Sequence, residues 1–214
     1  MNIVKQDIWQ YLKTTKKPVV LYGMGNGADK IIKALESVSV KPPGVFATDG
    51  FVRDKRFHGM SLTTYSALKE RFGDMTVLLC FGSSRPEVLE NINRIAAEQE
   101  LLVPDVPVYG DGLFDSEYAA AHTEELLWVY SRLADEKSRE TLENTVNFKL
   151  SGKPEYLYRC EVSHDEPFQS FLMLCDDESY LDLGAYNGDT VLEFIQKAGK
   201  YKSITAVEPD NKSF

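Results

Sequence analysis

The sequence is poor in cysteine and histidine and lacks any long apolar run. Three cysteines and three histidines are scattered over 214 residues, and no two cysteines form a C-x-x-C pair. This scatter predicts neither a metal site nor a disulfide framework, and it fits a reducing cytoplasm. No apolar run reaches the roughly 18 residues of a membrane helix, and the N-terminus does not have the pattern of a signal peptide. We therefore expect a cytoplasmic protein that binds no metal and no membrane.

Clustered basic charge is also scarce. The 24 Lys and Arg residues face 33 Asp and Glu residues, so the formal net charge is -9. Binding to a nucleic-acid backbone needs clustered Lys and Arg, so we expect no nucleic-acid partner. The hydrophobic fraction of 43% is ordinary for a globular protein and is sufficient for a sizeable core.

Strand and helix patterns alternate through the first half of the chain. Short apolar runs at 19–22, 45–48 and 75–81 predict strands, and each is followed by a helical pattern. Pro86 falls in the first turn of the third helix, where its missing N–H costs little. The run VPVYG is a candidate for one more strand. This alternation predicts an α/β fold, a Rossmann-like parallel sheet flanked by helices.

Three parts are predicted along the chain. Residues 1–114 form the Rossmann-like α/β domain, and residues 115–178, which show helical but no clear strand patterns, form a helical connector. Residues 179–214 repeat the strand, glycine turn, helix and strand. They are predicted to be the first βαβ piece of a further α/β domain.

The segment SYLDLGAYNGDT, residues 179–190, reads as a strand that enters a glycine turn and a helix. Gly184 and Gly188 lie in the turn, where the backbone can pass close to a ligand. Glu208 ends the next strand, about twenty residues further on, where a carboxylate can accept the hydroxyls of a ribose. Asp182 stands where a dinucleotide fingerprint is usually apolar, and it would repel a pyrophosphate. The pattern therefore favours a cationic or neutral ligand such as S-adenosylmethionine.

Two motifs in this region, LDLGAYNGDT and AVEPDNKSF, resemble those of the FkbM-type Rossmann-like methyltransferases. The resemblance covers about residues 120–214, because the helical stretch before the motifs is also similar to that of long members of the family. It implies S-adenosylmethionine-dependent methyl transfer to a small-molecule or carbohydrate-like acceptor. The cofactor-binding residues that it implies are Asp182, Gly184 and Gly188 on the methionine and backbone side, Asn187 and Asp189 as supports of the turn, and Glu208 at the ribose.

Only part of the family's methyltransferase domain is recognisable in this sequence. Such a domain normally has seven strands, and only the first two are recognisable here, so no catalytic residue can be assigned. The resemblance therefore implies the front part of a longer methyltransferase, cut by a gene truncation or by the limits of the fragment, and inactive by itself. Two strands without their usual neighbours leave unpaired edges. This predicts a homo-oligomer that associates through residues 179–214.

A second glycine corner occurs early in the chain, in the segment YGMGNGADK. Gly23, Gly25 and Gly27 follow a strand and precede a helix, which approximates a dinucleotide fingerprint. Asp49 ends the next strand at a spacing that fits a ribose-binding acid, and Arg85 follows the third strand, where it could meet a phosphate. The corner is predicted to hold NAD or a nucleotide-sugar. The alternative function for the whole chain is a non-catalytic nucleotide, NAD or nucleotide-sugar binding module, and this unit could equally serve docking or oligomerisation.

Overall fold

Apolar runs that are buried along their whole length form the centre of a six-stranded sheet. The computed structural model describes residues 1–48, 56–163 and 165–210. The strands of this sheet are β1 (Val19–Tyr22), β2 (Val45–Phe46), β3 (Arg56–Phe57), β4 (Met60–Thr63), β5 (Thr76–Leu79) and β6 (Glu100–Leu102). Their spatial order is β3-β4-β2-β1-β5-β6, and every neighbouring pair is parallel except β3 with β4.

Without the short β3, the order of the parallel strands along the chain is 3-2-1-4-5, as in the Rossmann fold. The order reverses between β1 and β5, whose residues pair from Val19 with Thr76 to Tyr22 with Leu79. The predicted α/β fold class is therefore confirmed. The reversal matters for function, because ligands of open α/β sheets bind where the connections leave in opposite directions.

Four helices cover the two faces of this sheet. They are α1 (Ile8–Thr14), α2 (Asn26–Ser37), α3 (Tyr65–Phe72) and α4 (Pro86–Glu98). Successive residues of a strand point to opposite faces, so Leu21 packs with α1 and α2 while Tyr22 packs with α3 and α4. Local chemistry sets both ends of α3. Thr64 caps α3 by accepting the N–H of Ala67 at 3.2 Å, and Gly73 ends this helix at a φ of +70°.

Two strands differ from the sequence-based expectation. β4 was not among the predicted strands, and it pairs in parallel with β2. The last strand of the sheet is β6, three residues before the run VPVYG, where Val108 and Tyr109 are 94% and 96% exposed. Pairing with a neighbouring strand decides both positions, and such pairing is a long-range property that local patterns do not contain.

The chain forms two compact units, residues 1–161 and 162–214, and four further helices belong to the first. These are α5 (Ser116–Ala121), α6 (Thr123–Arg132), α7 (Glu136–Ser151) and α8 (Glu155–Tyr158). The buried Asn147 side chain on α7 accepts the N–H of Val4 at 2.8 Å and donates to the carbonyl of Asn2 at 2.9 Å. This contact ties α7 to the start of the chain. The predicted domain boundaries after residues 114 and 178 stay a prediction.

The second unit contains the predicted βαβ piece. Its elements are α9 (Glu166–Ser170), β7 (Ser179–Leu183), α10 (Asp189–Ala198) and β8 (Ser203–Val207). β7 and β8 are parallel. α10 covers one face of this pair, where the ring of Phe194 stacks on that of Tyr180 at 4.3 Å. The side chains of Leu181 and Leu183, which alternate with Tyr180 along β7, are 57% and 73% exposed.

Candidate functional site

The carboxylate of Glu208, at the end of β8, lies against the glycine turn that follows β7. Its Oε2 accepts the N–H of Tyr186 at 2.8 Å, and its Oε1 accepts the N–H of Asp210 at 2.7 Å. The carbonyl of Val207 accepts the N–H groups of Gly184 at 2.7 Å and Ala185 at 3.1 Å. These bonds join the two strand ends. Each carboxylate oxygen of Glu208 accepts one of these backbone bonds and has a second lone pair with which it can accept another.

The backbone N–H groups of this turn are occupied by acceptors within the protein. Six of them donate to oxygens of the turn itself or of the end of β8, at distances of 2.7 to 3.2 Å: those of Gly184, Ala185, Tyr186, Gly188, Asp189 and Thr190. A phosphate-binding loop works in the opposite way, because its N–H groups point at the ligand. This turn therefore lacks most of the donors that a pyrophosphate would need.

The side chains around the turn are rich in acceptors. Asp182 accepts a hydrogen bond from the hydroxyl of Thr190, the side-chain oxygen of Asn187 accepts the N–H of Asp189, and the carboxylate of Asp189 accepts the N–H of Thr190. The three carboxylates of Asp182, Asp189 and Glu208 therefore lie around one turn. Such a surface attracts positive charge and hydroxyl donors, and it repels phosphate.

The backbone of the turn is open on its outer side. Gly184 has a φ of +94° and Gly188 a φ of +81°, and among the described residues no heavy atom outside their immediate neighbours lies within 4 Å of where a Cβ would be. Both conformations favour glycine. The free space at both positions means that a ligand can contact the main chain there. The predicted cofactor residues of this unit therefore surround one open turn, and their roles stay a prediction.

The three glycines of the first corner, between β1 and α2, differ in what they face. A Cβ on Gly23 would lie 2.5 Å from the ring of Phe81, and one on Gly27 would lie 2.3 Å from the carbonyl oxygen of Cys80. Packing within the protein accounts for these two glycines. Gly25, at the start of α2, has a φ of +131°, and no described residue beyond its neighbours comes within 4 Å of where its Cβ would be. The predicted ribose acid Asp49 lies outside the described residues.

A cavity of about 350 Å³ opens beside this corner, at the carboxyl ends of β1, β2 and β5. Its lining residues include Tyr22, Met24, Thr48, Phe81 and Arg85. Two lining residues, Gly23 and Arg85, were predicted from the sequence to contact a ligand. The position of Thr48 at the end of a predicted strand was the one signal that could have pointed to it.

Charge at the mouth of the cavity is partly neutralised. The Arg85 guanidinium contacts the carboxylate of Glu87, two residues further along. The pKa of Glu87 is lowered by a hydrogen bond from its own backbone N–H and then by Arg85. Next to the cavity-lining Phe81 in the chain, burial raises the pKa of the Cys80 thiol to about 12, so this thiol stays protonated and unreactive at neutral pH.

The described ranges contain neither a membrane-spanning helix nor a metal-binding cluster. Residues 1–48, 56–163 and 165–210 contain no helix that is both long and apolar enough to cross a membrane. The same ranges contain no group of three or more His, Cys, Asp and Glu side chains that could hold a metal ion.

Comparison with known proteins identifies a shared fold. No protein-family model matches the chain, and no curated protein matches it. Among solved structures, the chain is similar to the methyltransferase FkbM from Methylobacillus flagellatus KT, with a TM-score of 0.58 and 19% sequence identity. The match covers 91% of this chain and 56% of that one. The chain therefore shares the fold of a methyltransferase FkbM and spans little more than half of its length.

Proposed function

We propose that this chain carries the donor-binding corner of an S-adenosylmethionine-dependent methyltransferase of the FkbM kind. The observation that carries the proposal is the contact between Glu208 and the turn after β7, where the carboxylate meets the N–H of Tyr186 at 2.8 Å. A carboxylate held at this place can accept the two hydroxyls of the donor's ribose.

The chemistry of the corner fits this donor better than it fits a dinucleotide. S-adenosylmethionine has a sulfonium and an amino group, which are positive, and it has no phosphate. The carboxylates of Asp182, Asp189 and Glu208 attract the positive groups of such a ligand. Because most N–H groups of the turn already donate within the protein, the corner has few donors for a phosphate. The solved structure with the same fold is named a methyltransferase, which also supports the proposal.

Each residue of the corner has a proposed task. Glu208 binds the ribose, while Asp182, Gly184 and Gly188 lie along the methionine part and leave room for it. Asn187 and Asp189 hold the turn through their hydrogen bonds to backbone N–H groups. The donor, when bound, supplies an electrophilic methyl group. The acceptor proposed from the resemblance is a small or carbohydrate-like molecule.

The 214-residue chain by itself is proposed to bind the donor without transferring its methyl group. In the described part of the second unit the sheet consists of β7 and β8, and the Leu181 and Leu183 side chains on it are exposed. Parallel sheets are normally covered on both faces. Self-association through this unit and a cytoplasmic location stay predictions.

Isothermal titration calorimetry with S-adenosylhomocysteine tests the proposal. We expect binding to the chain and a loss of about 10- to 100-fold in affinity for Glu208→Gln, since a hydrogen bond to a charged group contributes about 1.5–3 kcal/mol. The matched control is Asp177→Asn, which removes an exposed carboxylate from the turn before β7. Equal affinities of the Glu208→Gln and unmodified chains would contradict the proposal, and thermal melts of both chains will show that each is folded.

The alternative, a nucleotide-binding module, is favoured by one observation, the cavity at the carboxyl ends of β1, β2 and β5. It concerns the first unit, so it can hold together with a donor corner in the second. NAD and nucleotide-sugars remain predictions for that cavity, and the comparisons give them no support.

A further inference from the structure

The cavity of the first unit lies at the point where the strand order reverses. Residues from the ends of three parallel strands line it: Tyr22 from β1, Thr48 beyond β2 and Phe81 beyond β5. The connections after β1 and β5 leave the sheet on opposite faces, which creates a crevice between them. Small-molecule sites of open α/β sheets are formed at such crevices.

The size of the cavity limits the ligand. Its volume of about 350 Å³ is near the lower end of the roughly 300–1,000 Å³ that small-molecule sites span. The ring of Phe81 also fills the space beside Gly23, because a Cβ there would lie 2.5 Å from the ring. In a dinucleotide site the pyrophosphate crosses this first glycine turn. The geometry therefore favours a ligand about half as long as a dinucleotide.

The lining supplies three kinds of contact. The Phe81 ring and Met24 make an apolar wall against which a flat ring can pack, and the buried Tyr22 ring supports Phe81 by meeting it edge to face at 5.0 Å. The hydroxyls of Tyr22 and Thr48 share one hydrogen bond of 2.8 Å. Two hydroxyls carry two protons and this bond uses one, so the pair retains one donor for a ligand.

Arg85 adds a positive group at the mouth of the same cavity. Its side chain is 61% exposed, so it can turn from Glu87 toward a ligand with little loss of packing. A phosphate accepts paired hydrogen bonds from a guanidinium. Glu87 competes for the guanidinium, so this carboxylate should weaken the binding of an anion.

From this cavity, its aromatic wall, its hydroxyl pair and Arg85, we propose that the first unit binds a nucleoside monophosphate. The base packs against Phe81 and Met24, a polar edge of the ligand binds the Tyr22–Thr48 pair, and the phosphate meets Arg85. This site is separate from the proposed methyl-donor corner and does not depend on it.

The test is an NMR titration of the ¹⁵N-labelled chain with AMP, GMP, CMP, UMP, adenosine, inorganic phosphate and NAD. We expect at least one monophosphate to shift the N–H signals of Met24, Thr48 and Gly82. The nucleoside that corresponds to the best-binding monophosphate is then added to the panel. It should bind in the same cavity more weakly, and NAD should bind no more tightly than the monophosphate. Because each signal belongs to one residue, adenosine that enters the second unit will be distinguished from adenosine in this cavity.

Variants with opposite expected effects make the test specific. Arg85→Gln should weaken monophosphate binding about five- to tenfold, the effect of losing a partly exposed charged hydrogen bond. Glu87→Gln should strengthen it by about twofold or more because it frees Arg85. Neither should change the affinity of the uncharged nucleoside, and Arg94→Gln, further along α4, should change nothing.

Three results would overturn the proposal. The first is the absence of any shift in this cavity with all four monophosphates at millimolar concentration. The second is NAD binding more tightly than every monophosphate, which would favour a dinucleotide. The third is an equal loss for monophosphate and nucleoside in Arg85→Gln, which would mean that Arg85 does not meet the phosphate.

Discussion

One buried carboxylate, that of Asp7, caps two helices at once. At 3% exposure it is the N-cap of α1, where its Oδ1 accepts the N–H of Gln10 at 2.8 Å. Its Oδ2 accepts both the N–H and the hydroxyl of Ser116, the first residue of α5, at 2.9 and 2.6 Å. Asp7 therefore joins the start of the sheet domain to the helices that follow it.

Replacement of Asp7 by alanine should destabilise the first unit by about 3 kcal/mol. Loss of an N-cap costs about 1 kcal/mol. The partly buried N–H of Ser116 and its hydroxyl would lose a charged acceptor, which adds roughly 2 kcal/mol within the range for such groups. Asp115→Ala is the matched control, because Asp115 caps α5 with one bond to the N–H of Tyr118 at 2.8 Å and should cost about 1 kcal/mol.

Urea unfolding followed by tryptophan fluorescence measures both losses. The two tryptophans, the buried Trp9 and the exposed Trp128, lie in the first unit, so the signal reports on that unit. A double-mutant cycle with Ser116→Ala should give a coupling of about 1 kcal/mol between the two side chains. A loss for Asp7→Ala no larger than that for Asp115→Ala would refute the inference that one carboxylate supports both helices.

Three further outcomes are expected. A thiol reagent at pH 8 should modify the exposed Cys175 in the folded chain, whereas Cys80, whose pKa burial raises to about 12, should react only after unfolding; rapid labelling of both would contradict this burial. Gly27→Ala should destabilise the first unit by about 1–3 kcal/mol, measured by urea unfolding, because its Cβ would lie 2.3 Å from the Cys80 carbonyl oxygen. The pKa of Glu98 is lowered from 4.5, first by the hydrogen bond from Lys69 and then by that from the Tyr65 hydroxyl. Because the pKa of Glu98 is lower in the folded state, the stability that it contributes is present above pH 4.5 and is lost as the pH falls through the folded pKa. The urea concentration at the unfolding midpoint should therefore decrease when the pH is lowered from 6 to 3. This decrease should be smaller in Glu98→Gln.

Features of the fold that depend on neighbouring residues could be predicted from the sequence. The start of α3 at Thr64 and its end at Gly73 follow from a hydroxyl that accepts an N–H and from a glycine at positive φ. Pro86 at the first turn of α4 is another local signal of this kind. In contrast, Leu62 is the one buried residue of β4, and the pairing of β4 with β2 is what makes it a strand.

The candidate sites also contain features that local sequence patterns predict and features that they do not. The glycine turn of the second unit and Glu208 could be found from motif spacing, because a strand, a turn and the next strand lie close together in the sequence. The pairing of the turn's N–H groups was not predictable, since half of these bonds depend on the backbone path of the turn and its contact with the end of β8, and the other half on side-chain conformations. The Tyr22–Thr48 hydroxyl pair also depends on register, because β1 and β2 align Tyr22 with Phe46, two residues before Thr48.

The most direct test of the donor corner is the ¹⁵N NMR spectrum of the chain with S-adenosylhomocysteine. We expect the N–H signals of Tyr186 and Asp210, which donate to the Glu208 carboxylate, and of Gly188 in the same turn to shift together, and these shifts to be lost in Glu208→Gln. Shifts confined to the first unit, or none at saturating S-adenosylhomocysteine, would contradict it.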